Sequence, residues 1–217
     1  MIRDARSVIN DELYNASRIS YPASRIPNPE FSFSVLSVAK KNIPRDRCWR
    51  RRPGAGTGRY HAWLIDRGSL TDRLRERCTA FRVELVFQGP RRATRDERFL
   101  VGDRARGTLV REVYLHCGRT PVVFAHSVVR RRDLRGPWRA LARLGTRPLG
   151  AALFADPRVR RQPLRFRKLE ARDELHARAR ARLGARAPAL WARRSLFILR
   201  NSPILVTEIF LPGTLTL

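Results

Sequence analysis

Apolar residues dominate the stretch at 203–212, PILVTEIFLP, which is bounded by proline at both ends. Side chains in a strand alternate between faces, so Ile204, Val206, Glu208 and Phe210 share one side. The other side is equally apolar, which predicts a central strand that is covered on both faces. Glu208 is then a lone carboxylate on an apolar face. Such a group requires a nearby cation, hydrogen-bond donors or a raised pKa.

A second strand pattern carries a lone charge of the opposite sign. In the stretch at 109–115, LVREVYL, the face that holds Arg111 is otherwise apolar. The alternating positions Glu112, Tyr114 and His116 are expected to point outward.

Two interpretations of these charges remain open at this point. Arg111 and Glu208 can form a structural salt bridge with each other, or each can be satisfied separately. Alternatively, they line a pocket in which Arg111 holds an anion and Glu208 holds a hydroxyl group at the far end.

The remaining pattern predicts an α+β domain. Strand-like alternation recurs in four further stretches, at 81–87, 121–129, 163–169 and 193–200. Helical patterns are found at 61–65, from Leu70 onward, at 138–144 and at 148–154, and the Ala- and Arg-rich stretch 171–186 predicts a solvated helix. Most strands are joined as hairpins and crossover helices are absent, so the fold class is α+β with a six-stranded, mainly antiparallel sheet rather than a doubly wound sheet.

Local signals place three boundaries of these elements. Ser69 is a predicted N-cap, with Asp72 in the capping-box position three residues later. Gly145 is suited to end the helix over 138–144 as a C′ residue. The last hairpin is expected to turn at Asn201 and Ser202.

The first 59 residues show no sustained periodicity and contain proline-rich and arginine-rich segments. The run at 53–58, PGAGTG, lacks the features of a phosphate loop and indicates a linker. We therefore predict two parts, a basic, poorly ordered extension at 1–59 and a folded domain at 60–217. Removal of residues 1–58 is expected to leave folding and turnover nearly intact.

The formal net charge is +27, and arginine supplies almost all of it, because lysine occurs only at positions 40, 41 and 168. This charge is typical of nucleic-acid binders. The arginines are nevertheless scattered through every predicted element, as a bias towards arginine codons would also produce. Charge alone therefore does not favour a nucleic acid as the partner.

Cysteine and histidine spacing gives no indication of a metal site. Cys48, Cys78 and Cys117 form no CxxC pair, and the four histidines lack metal-ligand spacing. A sparse, odd set of cysteines argues for a reducing compartment and against a disulfide framework. No stretch has the apolar length of a membrane span, and the charged N-terminus does not resemble a secretory signal.

An ordered set of short motifs from about residue 62 to the end resembles bacterial chorismate pyruvate-lyases. The matching pieces are Trp63-Leu64, Gly68-Ser69-Leu70-Thr71, Arg111-Glu112-Val113, the stretch 121–127, the stretch 144–150, Leu153-Phe154, the stretch 190–195 and the stretch 206–212. Ala192 stands where the family usually has glycine, and residues 1–59 lie outside the resemblance.

The resemblance implies a cytoplasmic, monomeric enzyme that converts chorismate to 4-hydroxybenzoate and pyruvate as the first step of ubiquinone biosynthesis, without a metal or organic cofactor. It also implies two helical flaps over a buried site. Arg111 would bind the ring carboxylate, the backbones of Leu70 and Leu149 would supply further donors, and Glu208 would bind the ring-oxygen end.

Two other classes of function are weighed against the lyase. One is a non-catalytic module that binds small aromatic acids, as in effector domains of transcription regulators that share this fold. Residues 1–59 are too short and too rich in proline to resemble the winged helix that precedes such domains. The other is a basic nucleic-acid-binding protein, whose affinity would fall steeply with salt.

Overall fold

An antiparallel β-sheet of seven strands lies at the centre of the computed structural model, which describes residues 48–103, 107–184 and 187–217. The strands are β1 Phe81–Pro90, β2 Thr108–Cys117, β3 Thr120–Arg130, β4 Arg160–Arg161, β5 Arg165–Leu169, β6 Leu190–Leu199 and β7 Ser202–Phe210. Their order is β1-β2-β3-β7-β6-β4, and β5 also pairs with β6. The predicted α+β class and antiparallel sheet are confirmed, and the two-residue strand β4 adds a seventh strand to the predicted six.

Within the described residues, five short α-helices pack on the sheet: α1 His61–Ile65, α2 Leu70–Arg77, α3 Arg95–Val101, α4 Leu149–Ala155 and α5 Glu174–Ala179. The predicted N-cap of α2 is confirmed, because the Asp72 backbone N–H donates to the Ser69 hydroxyl. The helix expected over 138–144 is instead a 3-10 helix at Arg139–Arg143, which suits so short a segment.

Helices cover both faces of the sheet. One face carries Arg111 and Glu208 and packs against α1, α2 and α4 through apolar residues such as Leu64, Leu74 and Leu153. The opposite face packs against α3 and α5. The central strand β7 is therefore buried on both sides, as its sequence predicts.

The prediction that the other face of β2 points into solvent is wrong. Glu112, Tyr114 and His116 are each at most 3% exposed. The chain around α5 contacts Glu112 and Tyr114, and the His116 ring lies within hydrogen-bond distance of Arg82 and Glu84 on β1. The Tyr114 hydroxyl lies within 3.0 Å of the backbone carbonyl oxygens of Arg178 and Ala179. The segment that was expected to be a solvated helix is thus a packed cover, and Ala179 within it is fully buried.

A buried ionic cluster lies beneath this cover. His126 is 1% exposed and lies between two carboxylates, with Nε2 at 3.1 Å from Glu97 and Nδ1 at 3.0 Å from Glu112. Glu112 also pairs with Arg91 and Arg178. Burial disfavours the charged imidazole, but the hydrogen bond to Glu112 and the negative charge of both nearby carboxylates outweigh burial and raise the pKa of His126. Burial likewise disfavours the Glu112 carboxylate, yet its bonds to His126 and Arg178 lower its pKa to about 2.

This cluster predicts a specific dependence of stability on pH. Because the pKa of His126 is higher in the folded state than in the unfolded chain, its contribution to stability is complete below the ordinary histidine pKa. That contribution is lost as the pH rises through the raised pKa of the folded state. Thermal melts between pH 6 and pH 9 should therefore show a falling melting temperature. His126→Gln should be less stable at pH 6 and should lose most of this slope, and an unchanged slope in this variant would contradict the assignment.

Residues 48–59, which the sequence pattern assigns to the extension, pack against the domain. Trp49 is 5% exposed, belongs to the apolar cluster around Leu169 and Leu190, and lies 4.2 Å below the Arg194 guanidinium. Arg50 exchanges two backbone hydrogen bonds with Phe166. The rest of the predicted extension, residues 1–47, lies outside the described residues.

Two truncations are expected to behave differently. Removal of residues 1–58 deletes the Trp49 side chain and leaves a cavity, so we expect it to cost about 3–5 kcal/mol, as for a buried tryptophan changed to alanine. Removal of residues 1–47 keeps these contacts and should leave the unfolding midpoint in denaturant nearly unchanged. Equal midpoints for the two truncated proteins would contradict this role for residues 48–58.

The structure also corrects the expectation that the cysteines form no disulfide. Cys78 and Cys117 are bonded, with their Cα atoms 5.6 Å apart, and Cys48 is a free, exposed thiol. The pairing of Phe81 with Cys117 at the start of β1 brings the end of α2 to the end of β2. Sequence spacing could not reveal this proximity, because it depends on the register of the hairpin.

No helix in the described residues combines the length and the hydrophobicity that spanning a lipid bilayer requires.

Candidate active site

A cavity lies between the sheet and the helices α2 and α4, which we call the two flaps. It has an empty volume of about 550 Å³, part of which is open to solvent. Its walls are mainly apolar and are formed by Val83, Val113, Leu115, Ala125, Leu153, Phe154, Phe197 and Val206. Polar groups are few, and the charged ones are Arg111 and Glu208. An apolar cavity with a small number of placed polar groups is typical of a small-molecule site.

All four residues that the sequence selects line this one cavity. Arg111 lies on β2 and Glu208 on β7, whereas Leu70 and Leu149 are the first residues of α2 and α4. The backbone N–H groups in the first turn of a helix have no partner within that helix. The two flaps therefore begin at the cavity with donors that a ligand can use.

Arg111 is a buried cation that makes no ion pair within the described residues. Its side chain is bonded only to neutral groups, because Nη2 donates to the carbonyl oxygens of Gly145 at 2.9 Å and Arg147 at 3.0 Å. Its Nε is buried without a hydrogen-bond partner there. Burial lowers the pKa of Arg111 from 12.5 to about 10. A bound carboxylate would supply both the missing partner and the missing negative charge.

The salt bridge between Arg111 and Glu208, one of the two alternatives left open by the sequence, is not present. In the sheet register, Arg111 on β2 lies opposite Ser127 on β3, and Ser127 lies opposite Val206 on β7. Glu208 is two residues further along that strand, so the two Cα atoms are separated by about 12 Å from strand spacing and rise. The gap between the two side chains is the cavity itself.

Glu208 instead pairs with an arginine that sequence reasoning did not select. Arg193 Nε donates to Glu208 Oε2 at 2.5 Å, and the carboxylate side chain keeps 17% exposure whereas Arg193 is fully buried. Oε1 makes no hydrogen bond within the described residues, and Glu208 lines the cavity. The arginine fixes the orientation of the carboxylate, and the second oxygen is left for a ligand.

Arg193 also connects this carboxylate to the backbone that leads into the first flap. Its Nη1 donates to the carbonyl oxygens of Trp63 at 2.8 Å and Asp66 at 2.6 Å. These carbonyls lie at the end of α1, where helical carbonyls lack internal partners. Arg193 belongs to a motif that matches the lyases, but its role depends on which residue faces it across the hairpin.

The arrangement favours a planar aromatic acid. The ring would contact the apolar walls, a carboxylate would reach Arg111 at one end, and a hydroxyl group would reach Glu208 at the other. The four residues selected from the sequence, Leu70, Arg111, Leu149 and Glu208, are thus brought together, whereas Arg193, Thr71 and Ser127 add polar groups in or behind the wall.

Several known proteins are similar to this chain. The family model described as chorismate lyase matches residues 57–216. A probable chorismate pyruvate-lyase of Nitrosomonas europaea is 52% identical over 166 residues, which cover 76% of this chain and 93% of that protein. One from Aromatoleum aromaticum is 47% identical over 180 residues, with coverages of 80% and 97%. Among solved structures, the effector domain of PhnF from Mycobacterium smegmatis matches with a TM-score of 0.45 and 13% identity, covering 67% of this chain and 90% of that one.

The family model spans most of the chain, and each of these two curated relatives is matched over nearly its whole length. The protein described here therefore belongs to the chorismate lyase family.

Proposed function

We propose that this protein is a chorismate pyruvate-lyase that converts chorismate to 4-hydroxybenzoate and pyruvate. We further propose that it acts as a cytoplasmic monomer and supplies 4-hydroxybenzoate to ubiquinone biosynthesis. The observation that supports the activity best is the pair of groups at the two ends of one apolar cavity. Arg111 is a buried cation bonded only to neutral groups of the described residues, and Glu208 is a carboxylate held in place by Arg193.

The reaction is an elimination in which the ether C–O bond to the ring breaks, a ring proton is lost and the enolpyruvyl group leaves as pyruvate. The ring becomes aromatic, so the overall change is strongly downhill. The protein therefore has to bind, desolvate and orient a dianion and to stabilise charge on the departing oxygen. The ring proton can pass to the departing pyruvyl group within the substrate, which requires no protein base.

Each polar group has a role in this proposal. Arg111 binds the ring carboxylate, and the first backbone N–H groups of the flaps at Leu70 and Leu149 add donors at the same ligand. Glu208 accepts a hydrogen bond from the hydroxyl end of the ring. Arg193 is not in contact with the ring and keeps the Glu208 carboxylate in position.

The test is direct incubation of the purified protein with chorismate. Both products should appear in equal amounts, and at the same rate with and without a metal chelator. Formation of neither product above the uncatalysed rate would contradict the proposal. Loss of turnover in the chelator alone would contradict its cofactor-independent chemistry.

A further inference from the structure

One arginine outside the cavity wall joins both flaps to the sheet. Arg161, the last residue of β4, directs its Nη1 to the carbonyl oxygens of Arg67 at 2.7 Å and Gly68 at 3.3 Å. These two residues immediately precede the N-cap of the first flap, α2. The Nε of Arg161 donates to the Ser195 hydroxyl on β6 at 3.0 Å, so the same guanidinium ties the start of this flap to the sheet.

The second flap touches the same guanidinium. The Arg161 guanidinium carbon lies 5.5 Å from the ring centroid of Phe154 on α4 and 5.2 Å from that of Phe197 on β6. Both rings line the cavity, and Phe154 is 42% exposed. A cation over an aromatic face is attracted to it. Arg161 therefore contacts the segment that leads into the first flap, the second flap itself and the sheet.

The two flaps also meet each other directly. A Cβ atom placed on Gly150 of α4 would lie 2.9 Å from the Thr71 hydroxyl oxygen of α2. That approach is closer than side chains tolerate, so this contact depends on glycine. A ligand as wide as a benzene ring cannot pass between flaps that approach so closely without moving one of them.

The hydrogen bonds that Arg161 makes to the segment before the first flap can break and re-form. All its hydrogen bonds go to neutral oxygen atoms within the described residues, and no carboxylate pairs with it there. When the first flap moves away, water can replace two carbonyl oxygens without leaving a buried anion behind. A contact of this kind holds a flap closed yet opens at a modest cost.

We propose that Arg161 is a positioning residue that latches the two flaps over the cavity and thereby limits how fast the aromatic product leaves. The inference depends on the proposed function, because it assumes that the cavity holds 4-hydroxybenzoate. Arg161 does not touch the ring. Its loss should therefore change the rate at which 4-hydroxybenzoate is released and not the binding of its carboxylate by Arg111.

The test measures the dissociation rate of 4-hydroxybenzoate by stopped-flow displacement in the full-length protein. In Arg161→Gln we expect release to be roughly ten- to a hundredfold faster, the effect of losing hydrogen bonds to a charged group. Arg161→Lys keeps the charge but not the planar fork, so an intermediate acceleration is expected. The matched control is Arg160→Gln, which removes an exposed arginine on the same strand and should leave release unchanged.

A purely structural role for Arg161 would lower the melting temperature and leave the dissociation rate at the wild-type value, and that result would overturn the proposal. If Arg161→Gln does not fold, Ser195→Ala decides the question. It leaves the guanidinium in place and removes the anchor of Nε, together with the hydrogen bond from the same hydroxyl to the Gln162 carbonyl, so it should accelerate release to a smaller extent. Wild-type protein that binds 4-hydroxybenzoate but does not convert chorismate would contradict the proposed function alone. The dissociation rates would still decide the latch.

Discussion

Replacement of Arg111 by methionine is expected to abolish ligand binding while leaving the empty protein about as stable as the wild type. The buried guanidinium has no carboxylate partner in the described residues, so its removal relieves an unpaired, desolvated charge. This gain offsets the loss of two hydrogen bonds to neutral carbonyls, and we expect a net change below about 1 kcal/mol. Binding should weaken by about 3–6 kcal/mol, because two charge-assisted bonds to the carboxylate are lost.

Calorimetric titration with benzoate and 4-hydroxybenzoate, together with thermal melts, measures both effects. Both ligands should be affected equally, since both carry the carboxylate. Arg111→Lys keeps the charge but cannot form a bidentate pair, so it should recover only part of the affinity. Arg147→Met is a suitable control, because it removes an exposed charge from the same loop. A large loss of stability in Arg111→Met with intact binding would contradict the assignment.

Replacement of Glu208 by alanine, unlike replacement of Arg111, should strongly destabilise the protein. The carboxylate is the anionic partner of Arg193, which is fully buried, and removal of one member of a buried pair costs about 3–5 kcal/mol. The sequence alone does not identify Arg193 as the partner of Glu208. The double variant Glu208→Ala/Arg193→Met should regain much of the stability.

The single variant Glu208→Ala should also affect the binding of two ligands differently. Only 4-hydroxybenzoate carries the hydroxyl group, so Glu208→Ala should weaken its binding by about 1.5–3 kcal/mol more than that of benzoate. Titrations at a temperature where the variant remains folded give this difference. Equal losses for both ligands would show that Glu208 has only the structural role of pairing with Arg193.

The pattern of apolar and charged positions in the sequence is sufficient to identify the charged residues at the two ends of the cavity. A single charge on an otherwise apolar strand face is costly, so Arg111 and Glu208 are conspicuous without any structure. Leu70 and Leu149 were different, because their side chains read only as apolar helix positions. Their backbone donors were implied by the resemblance to the lyases alone.

The sequence does not identify Arg193 as the partner of Glu208, because this pairing depends on which residues form the turn of the last hairpin. A turn at Asn201 and Ser202 places Ser195 opposite Glu208, whereas the observed turn uses Arg200 and Asn201, both with positive φ. That shift brings Arg193 opposite Glu208. Non-glycine residues with positive φ are uncommon, so the sequence did not favour this turn.

The covered face of β2 was mispredicted for a related reason. Alternation shows that Glu112 and Tyr114 point away from Arg111, but it does not show what lies over them. The segment around α5 has little apolar surface, and its packing depends on polar contacts such as the hydrogen bonds of Tyr114. Contacts of this kind, like the pairing of Cys78 with Cys117, become visible only when the register of the sheet is known.

A crystal structure of the protein with 4-hydroxybenzoate would locate the ligand and its polar contacts directly. We expect one ligand in the cavity beneath the flaps, with its carboxylate bonded to the Arg111 guanidinium and its hydroxyl group bonded to Glu208 Oε1. A reversed ligand, or one bound only outside this cavity, such as in the basic groove around Arg98 and Arg131, would contradict it.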